Sequence, residues 1–189
     1  MSTGNRPPVR LTPERTALVV IDLQERFRGL IHGMDQVRER SLRLIAFCRQ
    51  LEIPVLVTEQ YPRGLGVTMT EVREACRPFT AIEKMTFSCA GDAAFNEALR
   101  AAGRDQVILC GIETHVCVYQ TACDLLRDGK QVALAADAVS SCRPADRDLG
   151  LQRLRDVGAD VMGTQMIMFE ILREAGTPAF KRVSALLKN

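Results

Sequence analysis

Histidine is nearly missing from this chain: His32 and His115 are the only two among 189 residues. Two isolated histidines leave no zinc-ligand spacing, and there is no HExxH motif. Tryptophan is absent and tyrosine occurs twice, which argues against an aromatic platform for stacking single strands. An excess of one charge is also lacking. The 25 basic residues stand against 23 acidic ones, a net +2, so no strong field favours nucleic acid as a partner. No apolar run approaches the ~18 residues that cross a bilayer. Seven cysteines, an odd number, fall at no CxxC or zinc spacing, so a disulfide framework is not expected. These absences point to a reduced, cytoplasmic protein without membrane or nucleic-acid partners. Gly64-Leu65-Gly66 is only a fragment of GxGxxG, and no phosphate-cradling P-loop occurs. Residues 1–12 are polar and proline-bearing, without the apolar core of a secretion signal. They read as a flexible lead-in, and residues 13–189 as a single domain with room for a sizeable core.

What is present is alternation. Thr16–Asp22 is short, β-branched and nearly all apolar, the pattern of a strand buried on both faces. Asp35–Leu51 then carries Val37, Leu44, Ile45, Cys48 and Leu51 on one helical face, with Asp35 as a plausible cap. Further strands are predicted at Pro54–Thr58, Ala81–Met85, Gln106–Cys110, Gln131–Ala136 and Ala159–Met162. Helices are predicted at Thr70–Cys76, from Asp92 to Ala102, at Thr114–Asp128, from Ser140 or Ser141 to Val157, at Thr164–Glu174 and at Pro178–Leu187. Glu59–Thr68, broken by Pro and Gly, reads as a loop. Cys48, Cys110 and Cys123 lie in apolar-periodic contexts and read as small buried residues. Such alternation predicts a parallel sheet covered by helices on both faces, with ligands beyond the carboxyl ends of the strands. The positions just after the strands are Asp22, Glu59 and Gln60, Lys84, Glu113 to Cys117, and Asp137.

Among these, Cys117 has nucleophilic chemistry. Thr114 looks like a helix cap, and Cys117 would lie in the first turn, where the helix dipole and unpaired N–H groups favour thiolate. Histidine is a frequent partner of such a cysteine. His115, however, is two residues away, and residues at i and i+2 of a helix do not face each other. His32 falls in a loop and reads as a solvated residue. A carboxylate can serve as the base instead. Asp22 closes an apolar strand, where it either caps the next segment or does chemistry. Lys84 ends another strand and, on spacing alone, reads as an ordinary exposed lysine.

Three stretches together resemble the cysteine hydrolases of the isochorismatase-like superfamily. They are Val20-Ile21-Asp22-Leu23-Gln24, Lys84 within Glu83-Lys84-Met85-Thr86-Phe87-Ser88, and Gly111-Ile112-Glu113-Thr114-His115-Val116-Cys117-Val118. The likeness runs from about Thr16 to Lys188. Glu59-Gln60-Tyr61-Pro62-Arg63-Gly64-Leu65-Gly66 further resembles the isochorismatase-domain-containing subgroup. The resemblance implies a three-layer α/β/α Rossmann-type fold whose six-stranded parallel sheet has the order 3-2-1-4-5-6. It also implies a catalytic triad of Asp22, Lys84 and Cys117. A cis peptide between Ile112 and Glu113 is implied as well, with an oxyanion hole made by the Glu113 and Cys117 N–H groups.

The nicotinamidase branch of that superfamily carries an Asp-x-His metal motif after its second strand. Here the place reads Thr58-Glu59-Gln60, so no metal and no other cofactor are expected. The expected activity is hydrolysis of a small amide or related C–N bond through a thioester on Cys117. The alternatives are hydrolysis of a vinyl ether, with Asp22 as general acid, and an idle binding or regulatory protein on the same fold. Phe27, Tyr61 and Phe87 flank the motifs and either wall a substrate pocket or, for the two Phe, fill the core. Gln24, Glu59 and Gln60 are candidates for polar contacts to a small-molecule substrate. The resemblance also implies a homo-oligomer, a dimer or larger.

Overall fold

The computed structural model describes residues 10–187. Its framework is β1 (Thr16–Ile21), α1 (Met34–Gln50), β2 (Val55–Gln60), α2 (Pro62–Leu65), α3 (Thr70–Ala75), β3 (Ile82–Lys84) and α4 (Ala93–Ala102). There follow β4 (Gln106–Ile112), α5 (Tyr119–Arg127), β5 (Gln131–Ser140), α6 (Pro144–Asp156), β6 (Asp160–Met162), α7 (Thr164–Leu172) and α8 (Pro178–Val183). The six strands form one parallel sheet in the order β3-β2-β1-β4-β5-β6, as the resemblance implied. All six residues of β1 are buried, because each face of the strand meets a different helical layer. Leu18 and Val20 pack with α1, α3 and α7. Ala17, Val19 and Ile21 pack with α4, α5 and α6. A strand with apolar neighbours on both faces gains nothing from polar alternation, hence its continuous apolar sequence.

The strand order reverses between β1 and β4, where Ile21 pairs with Gly111. Gly111 has φ of +108°, and a Cβ there would lie 2.0 Å from the carbonyl oxygen of Ile21. Only glycine lets the two strands approach so closely at the point where the site opens.

Several strands run longer than predicted. β2 continues through Glu59 and Gln60, β4 through Gly111 and Ile112, and β5 to Ser140. The carboxyl ends of β2 and β5 carry polar residues, so an apolar pattern stops before the hydrogen-bonded ladder does. Gly33, not Asp35, caps α1, and Asp35 falls in its first turn. Asp92 caps α4 as expected, accepting hydrogen bonds from the N–H groups of Ala94 and Phe95. The expected lead-in ends earlier than Thr12: Leu11 is buried in the core, and Gln106 bonds both Arg10 and Thr12. Residues 1–9, the rest of that segment, lie outside the described residues. All seven cysteines are unpaired, with Cys48 and Cys110 buried and Cys123 only half-buried.

Candidate active site

Asp22 leaves β1 in a left-handed conformation, φ +55°, which a short polar side chain tolerates better than most. The turn directs its carboxylate to the mouth of the β1/β4 crevice. Thr58, on β2, donates its hydroxyl to Oδ1 of Asp22 at 2.7 Å, and Lys84 donates Nζ to Oδ2 at 2.8 Å. Lys84 comes from the edge strand β3 and reaches inward past β2. Its ammonium also donates to Oε1 of Gln60 at 2.7 Å and to the carbonyl of Phe87 at 3.2 Å. The lysine is buried rather than exposed. Burial, the largest single influence, would lower its pKa, but the Asp22 carboxylate together with Cys89 and Cys117 raises the ammonium above its ordinary range.

Between β4 and α5 the chain does not start an ordinary α-helix. The Ile112–Glu113 peptide is cis, and Thr114–Val118 form a π-helical turn in which the N–H of Val118 donates to the carbonyl of Glu113. Such turns recur at functional sites because they re-aim one side chain. The hydroxyl of Thr114 is buried without a partner, so it is not the cap its position suggested. Cys117 is 7% exposed and lines the same cavity as Asp22, whose negative charge acts on its thiol. The structure therefore brings Asp22, Lys84 and Cys117 together at the end of the sheet.

The sequence pointed to a thiolate at Cys117. Burial first, and then the negative charge of Asp22, push the Cys117 thiol up to about 12, while Lys84 opposes them. These surroundings favour the thiol over the free thiolate.

A cavity of about 110 Å³ lies above the sulfur. Asp22, Gln60, Glu113 and Cys117 supply its polar lining, and Phe27, Leu65, Phe87, Ile112 and Val116 its apolar lining. Phe27, Gln60 and Phe87, candidates from the sequence, are among its lining residues. Gln24 and Glu59 are buried elsewhere and serve the scaffold. Gln24 holds the backbone of Gln60 through both its amide atoms and also bonds the carbonyl of Gly66. Glu59 accepts from the N–H and hydroxyl of Thr68. Tyr61 is 46% exposed, outside the cavity lining. His115 turns to the hydroxyl of Ser141, 3.0 Å from Nδ1. His32 is exposed and borders a separate hollow between α1 and α6. Asp137 accepts from the N–H and hydroxyl of Thr164, at the start of α7. Among the described residues, no group of three or more His, Cys, Asp or Glu is arranged to hold a metal.

The model of the isochorismatase domain matches residues 16–166, a span that includes the whole crevice. This chain belongs to the isochorismatase family. Its sequence is 38% identical to isochorismatase domain-containing protein 2 of Danio rerio over 179 residues, covering 94% of this chain and 89% of that one. It is 36% identical to the secreted isochorismatase effector Isc1 of Phytophthora sojae, covering 100% and 91%. Its fold matches the solved MAR1 ribonuclease of Caenorhabditis elegans with a TM-score of 0.89 at 37% identity, over 95% and 92% of the two chains. In this isochorismatase-family chain, sequence reasoning passed over Thr58, which holds Asp22, and over Leu65, Ile112 and Val116. A threonine at a strand end and three scattered aliphatics carry no pattern of their own, and only the folded crevice gathers them.

Proposed function

We propose that the chain is a metal-independent cysteine hydrolase acting on a small amide or related C–N bond. The family is one of hydrolases, and the meeting of Cys117 with Asp22 at one cavity, the carboxylate held by Lys84 at 2.8 Å, is the observation that supports the finer reading. Because the thiol is protonated, attack and proton transfer are coupled: the S–H proton passes to Asp22 as sulfur bonds the carbonyl carbon. The oxyanion rests on the Glu113 and Cys117 N–H groups. Collapse breaks the C–N bond, and Asp22 returns the proton to the departing nitrogen. Water then hydrolyses the thioester, with Asp22 taking its proton. Lys84 stays charged throughout and fixes Asp22. Thr58 and Gln60 occupy the strand end where a metal motif would need carboxylate and imidazole, which supports chemistry without a metal.

The ribonuclease named for the C. elegans neighbour is a less suitable guide. A phosphodiester above Cys117 would meet the carboxylate of Asp22 and no cation among the lining residues. The seven unpaired cysteines support a reducing, cytoplasmic setting, and no helix among the described residues is long and apolar enough to cross a membrane. Exposed Met166 and Phe169, both on α7, support a homo-oligomer, which light scattering would detect.

The test is an amide and ester panel read by product release and by the mass of the intact protein. An acyl adduct on Cys117, with turnover lost in Cys117→Ala, is the expected result. Turnover that survives Cys117→Ala would transfer the chemistry to Asp22 and favour vinyl-ether hydrolysis. No turnover and no adduct would leave a binding protein.

A further inference from the structure

Building on the acyl-transfer reading above, we infer that the site accepts a short, uncharged, apolar acyl group and turns away carboxylates and phosphates. Size sets the first limit. The cavity over Cys117 measures about 110 Å³, whereas an apolar cavity of roughly 150 Å³ takes up benzene. An acyl chain of about four carbons fits, and a phenyl ring is the tighter fit. Its walls, Phe27, Leu65, Phe87 and Val116 among them, offer contact without hydrogen bonds.

Charge sets the second limit. No lining residue is cationic. The neighbouring cation, Lys84, commits its ammonium to Asp22, to Gln60 and to the carbonyl of Phe87. Asp22 presents a carboxylate to the cavity, while Glu113 turns its own to the N–H of Cys142. An anionic acyl group would give up its hydration without gaining a partner and would face like charge. Phe87 sets the length limit. It is 55% exposed and belongs to neither buried cluster, so it walls the cavity without supporting the fold.

Activated esters test this directly, since Cys117 attacks the acyl carbon, the nitrophenol leaves with the thiol proton, and the thioester remains. The full chain is exposed to p-nitrophenyl acetate, butyrate, hexanoate and benzoate, and to the mono-p-nitrophenyl ester of succinate. Acylation of Cys117 is followed by peptide mass, and each rate is divided by that of free glutathione. Cys117→Ala subtracts the other cysteines. Butyryl is expected to react ~10-fold faster than benzoyl and ~100-fold faster than succinyl. Phe87→Ala is expected to raise the hexanoyl and benzoyl rates ~10-fold relative to acetyl. Succinyl or benzoyl transfer as fast as butyryl, with Cys117 still acylated, overturns this inference alone. If no ester acylates Cys117, the acyl-transfer reading falls and this inference falls with it.

Discussion

A thiol beside a carboxylate keeps its proton longer than the same thiol in water, because ionising it would place two negative charges together. Cys117 is in that position, and the consequence separates reactivity from catalysis. In Asp22→Asn the repulsion is gone while Lys84 remains, so the Cys117 pKa falls. Its alkylation by iodoacetamide at pH 8 should rise ~10-fold for each pH unit of that fall. Hydrolysis should drop by ~10²–10⁴, since the proton acceptor is lost. Peptide-resolved mass spectrometry beside a turnover assay reads both, and equal losses in the two would contradict the coupled step. Lys84→Met removes the partner of a buried carboxylate and should cost about 3–5 kcal/mol in urea unfolding. Asp22 and Cys117 were legible as positions after β1 and β4. The state of the sulfur was not, because it depends on a carboxylate 95 residues away in sequence. Lys84 was legible only through resemblance, since its own sequence neighbours suit an exposed lysine equally well.

The strands set where these groups stand, and the ends of the strands carry more than their apolar middles. Gly111→Ala would drive a methyl into the Ile21 carbonyl and force a side chain into positive φ. A loss of about 3 kcal/mol or more is expected, measured by denaturant midpoint. Gln24→Ala would free the backbone of Gln60 and the carbonyl of Gly66. It should cost about 2–4 kcal/mol and speed amide exchange in residues 60–68, with weaker protection near Lys84 to follow. Periodicity located all six strands, because buried parallel strands announce themselves as apolar runs. It missed the extra rungs of ladder at the ends of β2 and β5, where Glu59, Gln60, Asp137 and Ser140 interrupt the apolar run. It also read one helix from Thr114, where a π-helical turn precedes α5; helical spacing does not distinguish an extra residue in the first turn.

Over the molecule as a whole, buried thiols make alkali the weak point. Cys76 and Cys89 are raised to about 11, Cys110 and Cys117 to about 12, and Cys48 further still, each first by burial. In the unfolded chain such thiols ionise near pH 8.5–9. Between that value and the folded pKa the unfolded state binds fewer protons, so stability falls as pH rises. Each thiol contributes about 1.4 kcal/mol per pH unit in that window. Urea midpoints should decline steadily from pH 8 to pH 10, and a flat profile would contradict the burial of these groups. The layered architecture itself was legible from alternation, since nothing but a covered parallel sheet buries so many apolar strands. The last three residues of β2 have a further consequence for kinship. Thr58 grips one oxygen of Asp22, Glu59 anchors Thr68, and Gln60 receives Lys84. A lineage that exchanged Thr58 and Gln60 for aspartate and histidine would set metal ligands on this strip of backbone and give up one acceptor of the lysine, which Asp22 and the carbonyl of Phe87 would still hold.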